Sequence, residues 1–181
     1  MTLKKLLHII ISVLVLSTAA ECLAADGRTS LKNGLKAYQE DADFDRAISE
    51  LQKAIQLGLS DRADLTRAHL YLGFAYIGRG QRIQAEIEFS DAIKLDPSLS
   101  LDSKLYSAKI VTVFNETKES LVDSLTVIST PGGAEVYLDD QKLGVTPLKS
   151  NNILIGEHSL KVVKDFFQPK TLSVNVRKGM D

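Results

Sequence analysis

Between residues 72 and 97 the chain reads LGFAYIGRGQRIQAEIEFSDAIKLDP, and no other stretch narrows its folding choices as far. Gly73, Ala75, Gly80, Ala85 and Ala92 are small residues at helix-contact spacing, with Leu72, Tyr76, Ile83, Phe89 and Ile93 between them. Small residues let two helices approach closely, and large ones fill the grooves that remain. Gly78-Arg79-Gly80 breaks the period and predicts a tight turn between antiparallel helices. Asp96-Pro97 stops the second helix, because proline cannot continue the hydrogen-bond ladder. The segment specifies a helical hairpin built to stack.

Leu72-Gly73, Tyr76, Gly80, Ala85, Phe89, Ala92 and Pro97 also fall on the signature positions of a known pattern. The stretch resembles the tetratricopeptide repeat (TPR), whose period is about 34 residues. A weaker copy precedes it: Tyr38, Phe44, Ala47, Leu51 and Ala54 align with Tyr76, Arg82, Ala85, Phe89 and Ala92, each 38 positions later. This copy departs from the pattern at Gly34-Leu35, which is reversed and shifted by one. Ala42 stands where the turn glycine belongs and Leu59 where the proline belongs. The longer offset places an insertion near Gly58 to Asp64.

The expected repeats are about 28–61 and 66–99. Helices are predicted over roughly Ser30 to Glu40, Phe44 to Leu57, Asp64 to Ile77 and Arg82 to Leu95. His69 to Ile77 is apolar nearly all round, which marks a helix covered on several sides. Leu70, Phe74 and Ile77 share one strip of it, and the resemblance places that strip in a concave groove that binds peptides. Cover by the following helix is the other reading. His69 predicts an interface histidine, since no second metal-binding side chain has helical spacing to it. Two repeats are fewer than a stack usually needs. Residues 107–121 (SAKIVTVFNETKESL) are expected to cap it, with Ser107 as N-cap and Ile110, Val111, Phe114 and Leu121 as the apolar side. Asn115-Glu116-Thr117 matches a glycosylation acceptor inside that helix and is discounted.

At the N-terminus, Lys4 and Lys5 precede an apolar run from Leu6 to Ala20, 15 residues long. That is short for a bilayer span of about 20 residues and fits a signal peptide. Cutting after Ala24 puts Cys22 and Ala24 at the recognition positions, giving a leader of 1–24 and export to the periplasm or cell envelope. Glu21 before Cys22 argues against lipid attachment at that cysteine. An uncleaved anchor is the alternative, and the only membrane contact the sequence foresees. Losing Lys4, Lys5 and Glu21 takes 22 basic and 23 acidic residues to 20 and 22, net −2.

From Leu125 the period changes from helical to alternating, so a boundary is expected near Val122 to Ser124, with a helical domain over 25–122 and a β-domain over 124–181. Leu125 to Thr130, Ala134 to Leu138, Leu143 to Leu148, His158 to Val163 and Thr171 to Val176 are predicted strands, with turns at Pro131-Gly132-Gly133 and Asp139-Asp140. Short strands between turn signals imply a small sandwich. Pro131, Gly133, Ala134, Val136, Tyr137, Gly144, Thr146-Pro147, Gly156 and Phe167 carry a resemblance to the PEGA domain, a small β-module of bacterial cell-envelope proteins. Gly132 replaces that family's glutamate. Phe166 stands where a turn glycine is common, either as an exposed aromatic or packed on the sheet. The strand Thr171 to Val176 is expected at a sheet edge, where a partner strand could add.

Charge is balanced, net −1 overall, so no basic face for nucleic acid is expected. One cysteine excludes a disulfide framework. No phosphate loop, metal-spaced set or nucleophile motif is present. Asp41, Asp43 and Asp45 alternate in a loop but lack the glycine and distal glutamate of a calcium site; a helix-start cluster explains them. Glu86, Glu88 and Asp91 predict a solvated face. No cofactor, metal or catalysis is expected. The chain reads as a secreted envelope adaptor, holding a protein or peptide on Leu70, Phe74 and Ile77 and docking through the β-domain. A glycan- or peptidoglycan-binding module, stacking sugars on Tyr137, Phe166 and Phe167, is the alternative.

Overall fold

The computed structural model describes residues 26–179, and the expected leader lies outside them. Five helices are followed by an antiparallel β-domain of two sheets, and the chain divides into two compact units between Leu95 and Asp96.

The first unit is two helical hairpins: α1 (residues 26–39) with α2 (Phe44–Leu57), and α3 (Arg62–Gly78) with α4 (Arg82–Leu95). Capping fixes their starts. Asp43 accepts from Arg46 N at 3.0 Å at the head of α2, and Asp61 accepts from Ala63 N at 2.6 Å at the head of α3. Across the second hairpin, Arg62 Nε donates to Leu95 O at 2.7 Å and closes its open end.

Both hairpins close on the same contact. A Cβ on Gly34 would lie 2.6 Å from Leu51 Cγ, and one on Gly73 would lie 2.4 Å from Phe89 Cε1. Ala47, Leu51 and Ala54 in α2 are buried, as are Ala85, Phe89 and Ala92 in α4. The one-residue shift of Gly34 is therefore no loss of the pattern. The α1–α2 loop, residues 40–43, is one residue longer than the α3–α4 loop, residues 79–81, and the shift absorbs the difference. Helix α3 packs against both α2 and α4, which accounts for its apolar character nearly all round.

The second unit opens with α5 (Ala108–Leu121), capped by Ser107, whose Oγ accepts from Ile110 N at 3.4 Å. Thr117 Oγ1 donates to Val113 O within this helix, so the glycosylation-like triplet is helical as expected. The helix expected to cap the repeats groups with the β-domain, and β1 (Val122–Val127) begins at the residue after it.

After β1 come β2 (Glu135–Leu138), β3 (Gln141–Val145), β4 (Leu148–Leu154), β5 (Gly156–Val163) and β6 (Lys170–Val176). β1 pairs with β4, and the other sheet runs β3-β2-β5-β6, so β6 is an edge strand as expected. Strand β4 was not foreseen. Its Lys149, Asn151 and Asn152 are exposed, and only Ile153 is buried, so it carries little apolar alternation. Val127, Ile153, Val136, Leu138, Leu160 and Val176 form the core between the sheets. Asp139 and Asp140 both have positive φ, 48° and 64°, as a two-residue hairpin turn requires.

Candidate functional site

The helical strip expected to hold a peptide is not open. Phe74 is 0% exposed, with its ring centroid 6.0 Å from Tyr38, 5.2 Å from Tyr71 and 5.8 Å from Phe89. Ile77 is buried and Leu70 half-buried. The single-helix period grouped these residues correctly but could not show that aromatic rings of three other turns close over the central one. Exposed apolar side chains lie instead on α4, at Ile83 and Ile87, one turn apart. Ile83, read as a groove filler, faces solvent.

His69 Nδ1 meets Glu88 Oε2 at 2.7 Å, tying α3 to α4. Glu88 is thereby withdrawn from the solvated face assigned to it, with its side chain 18% exposed. The loop acids are structural: Asp43 caps α2, Asp41 pairs with Arg46 at 3.6 Å and Asp45 with Arg79 at 3.0 Å.

In the β-domain, Tyr137 stands on the outer face of the four-stranded sheet opposite Lys161, and its hydroxyl donates to Glu135 Oε2 at 2.8 Å. Lys142 pairs with the other oxygen of that carboxylate. These bonds hold the Glu135 carboxyl below the usual range and push the Tyr137 phenol up. Phe166 and Phe167 lie in the loop after Val163, so the register separates them from Tyr137. The three rings do not form one stacking platform.

Phe166 is fully exposed and has φ 65°, the left-handed region. A bulky residue there costs about 1–2 kcal/mol relative to glycine. The resemblance to the PEGA domain implies a position where a glycine is common. The aromatic there neither fills the core nor suits the turn. Its loop is held from below. Lys164 Nζ donates to Gly133 O at 3.1 Å, and Phe167 N donates to Lys164 O at 3.1 Å.

Gly133 belongs to a rigid neighbour centred on buried Thr146. Thr146 Oγ1 accepts from Ala134 N at 3.0 Å, while Thr146 N donates to Ala134 O and Gly133 N donates to Thr146 O, both at 2.8 Å. Ser129 Oγ donates to Pro131 O at 2.8 Å, which leaves the Thr146 hydroxyl to donate to Ser129 Oγ at 2.5 Å. Loops 128–134, 146–147 and 164–169 thus meet at one end of the sandwich.

Elsewhere in this unit an open cleft of about 440 Å³ is lined by Asn115, Lys118, Glu119, Asp123, Asn151 and Lys178, among others. Backbone N–H groups of Ser124 and Gly179 hold the Asp123 carboxyl below its ordinary range. The lining carries no aromatic ring.

The chain is thus a set of helical hairpins followed by a small antiparallel β-domain of two sheets that carries an exposed aromatic loop. Residues 122–181 match the family model of the PEGA domain. No curated protein and no solved structure matches the chain. Among the described residues no helix is long and apolar enough to cross a membrane.

Proposed function

We propose that this protein is a secreted, non-enzymatic scaffold of the bacterial cell envelope, with TPR-like hairpins at its N-terminal half and a docking β-module at its C-terminal half. The fully exposed, left-handed Phe166 carries the reading: folding gains nothing from that side chain, so its use lies in contact with something else. The shared glycine locks at Gly34 and Gly73 support the repeat assignment. The exposed pair Ile83 and Ile87 replaces Leu70, Phe74 and Ile77 as the apolar surface for a protein partner.

The test is expression with the native first 24 residues, followed by fractionation and mass spectrometry of the product. A periplasmic chain beginning at Ala25 is expected. Photo-crosslinkers at Ile83 and at Phe166 should each yield a discrete adduct in envelope extract. A full-length product confined to the cytosol, or crosslinking no different from that at exposed Ser173, overturns the reading.

A further inference from the structure

The three loops that meet around Thr146, with the end of β3 beside them, expose four large apolar side chains on one end of the β-domain. Ile128 is 77% exposed, Val145 52%, Phe166 104% and Phe167 57%. The β5–β6 hairpin that projects the two phenylalanines carries Lys161, Lys164 and Lys170 against Asp165 alone, between Lys161 and Thr171. The opposite end has the reverse balance: Asp123, Asp139, Asp140 and Glu157 outnumber Arg177 and Lys178. Glu135 also lies at the Phe166 end but is paired with Lys142, so the domain is polarised, apolar and net cationic at one end and acidic at the other.

We infer that this end is a lipid-binding tip, seating Phe166, Phe167 and Ile128 in the interface of an anionic bilayer while Lys161, Lys164 and Lys170 face the headgroups. Aromatic side chains favour the boundary between headgroups and acyl chains, and lysines add attraction for anionic lipid that falls with salt. A rigid platform suits the task, because the loops are already pinned by Thr146 and by Lys164 on Gly133 and need not be ordered on binding. Phe166 combines a left-handed backbone with a fully exposed ring. This deepens the proposed docking role of the β-module by naming its target. A failure of the lipid contact would leave the crosslinking at Ile83 untouched, so the two are separable.

The chain contains no tryptophan, so Phe166→Trp places a single reporter at the tip of the full-length protein. Its emission is read with vesicles of phosphatidylglycerol and of phosphatidylcholine, beside a Ser173→Trp control on the outer face of β6. Expected is a blue shift for Phe166→Trp on the anionic vesicles, reversed by salt, with none for Ser173→Trp. Because the full chain carries the apolar run Leu6 to Ala20, affinity is compared between variants only. Replacing both phenylalanines with serine should lower vesicle partition roughly tenfold or more per ring removed. No shift on either vesicle overturns the proposal and returns this end to protein docking. An equal shift on neutral vesicles, or in the Ser173→Trp control, also overturns it.

Discussion

Ala42 holds the left-handed backbone that Gly80 holds one repeat later, with φ of 50° against 76°. Both residues turn the chain between the two helices of a hairpin, and only one of them is a glycine. The turn geometry survived the substitution and the strain came with it. Ala42→Gly should stabilise the helical unit by about 1 kcal/mol, since the Cβ clash in this region costs about 1–2 kcal/mol and glycine's extra unfolded-state freedom offsets part of it. Urea denaturation followed by far-ultraviolet circular dichroism measures it. A lower midpoint would mean that the alanine methyl is held by favourable packing.

Gly73 presents the opposite case. A Cβ there would sit 2.4 Å from Phe89 Cε1, in a core where Phe89 is fully buried and stacked edge-on to Phe74. Gly73→Ala should destabilise by about 3 kcal/mol, the upper range for overpacking a dense core. Gly34→Ala, facing the more adaptable Leu51 side chain, should cost less. The same denaturation experiment ranks the two, and equal or inverted costs would argue against equivalent hairpin locks.

These two positions also mark what the residues revealed and what they concealed. Helices α2 and α4 fall on their predicted bounds because Asp43 and Asp96-Pro97 are local signals, readable without any partner. Strand β4 was illegible because its burial comes from the strand paired with it and not from alternation in Leu148 to Leu154. Phe74 was left between an open groove and cover by the following helix for a related reason. The period of one helix identifies a face, while what covers the face depends on Tyr38, 36 residues earlier in the chain. Phe166 needed three-dimensional information too, since its exposure follows from where loops 128–134 and 146–147 leave room.

Thr146 joins loops that lie apart in the sequence. Thr146→Val keeps the shape but removes the acceptor for Ala134 N and the partner of Ser129 Oγ, leaving a buried N–H unmatched. An unsatisfied buried group costs about 1–3 kcal/mol, so the β-domain should lose stability by that amount. Thermal melting checks it, and amide exchange should speed up first at Gly133 and Ala134. A neutral effect would show that water replaces the hydroxyl.

Asp139 gives the β-domain an acid limit. His158 Nδ1 lies 2.6 Å from its Oδ2 and Ser159 N donates to its Oδ1 at 2.9 Å; the histidine bond is the larger cause of a carboxyl held below its ordinary range. The other ring nitrogen of His158 lies 2.7 Å from Leu154 O. A depressed carboxyl stabilises the fold above its unfolded pKa of about 3.9, and that contribution is lost as pH falls through the lower folded value. The stability gap between the parent and Asp139→Asn should therefore shrink as the pH falls below about 4. A gap independent of pH across the acid range would remove the charge from the account.

Phe166 tests whether stability and use are opposed at one residue. Its ring buries nothing, so removal forfeits no packing, and glycine accepts φ 65° without strain. Phe166→Gly should stabilise the β-domain by about 1 kcal/mol. For a domain of this size that corresponds to a rise in midpoint on the order of 4–8 °C. The same variant should bind anionic vesicles less well than the parent, because the tip has lost its most exposed apolar group. Calorimetry of the melt and vesicle sedimentation, run on one preparation, read both quantities. Stability gained together with binding lost is the signature of a side chain kept for contact. If glycine destabilises, the ring is supported by its neighbours, and the strain at this position then belongs to the fold.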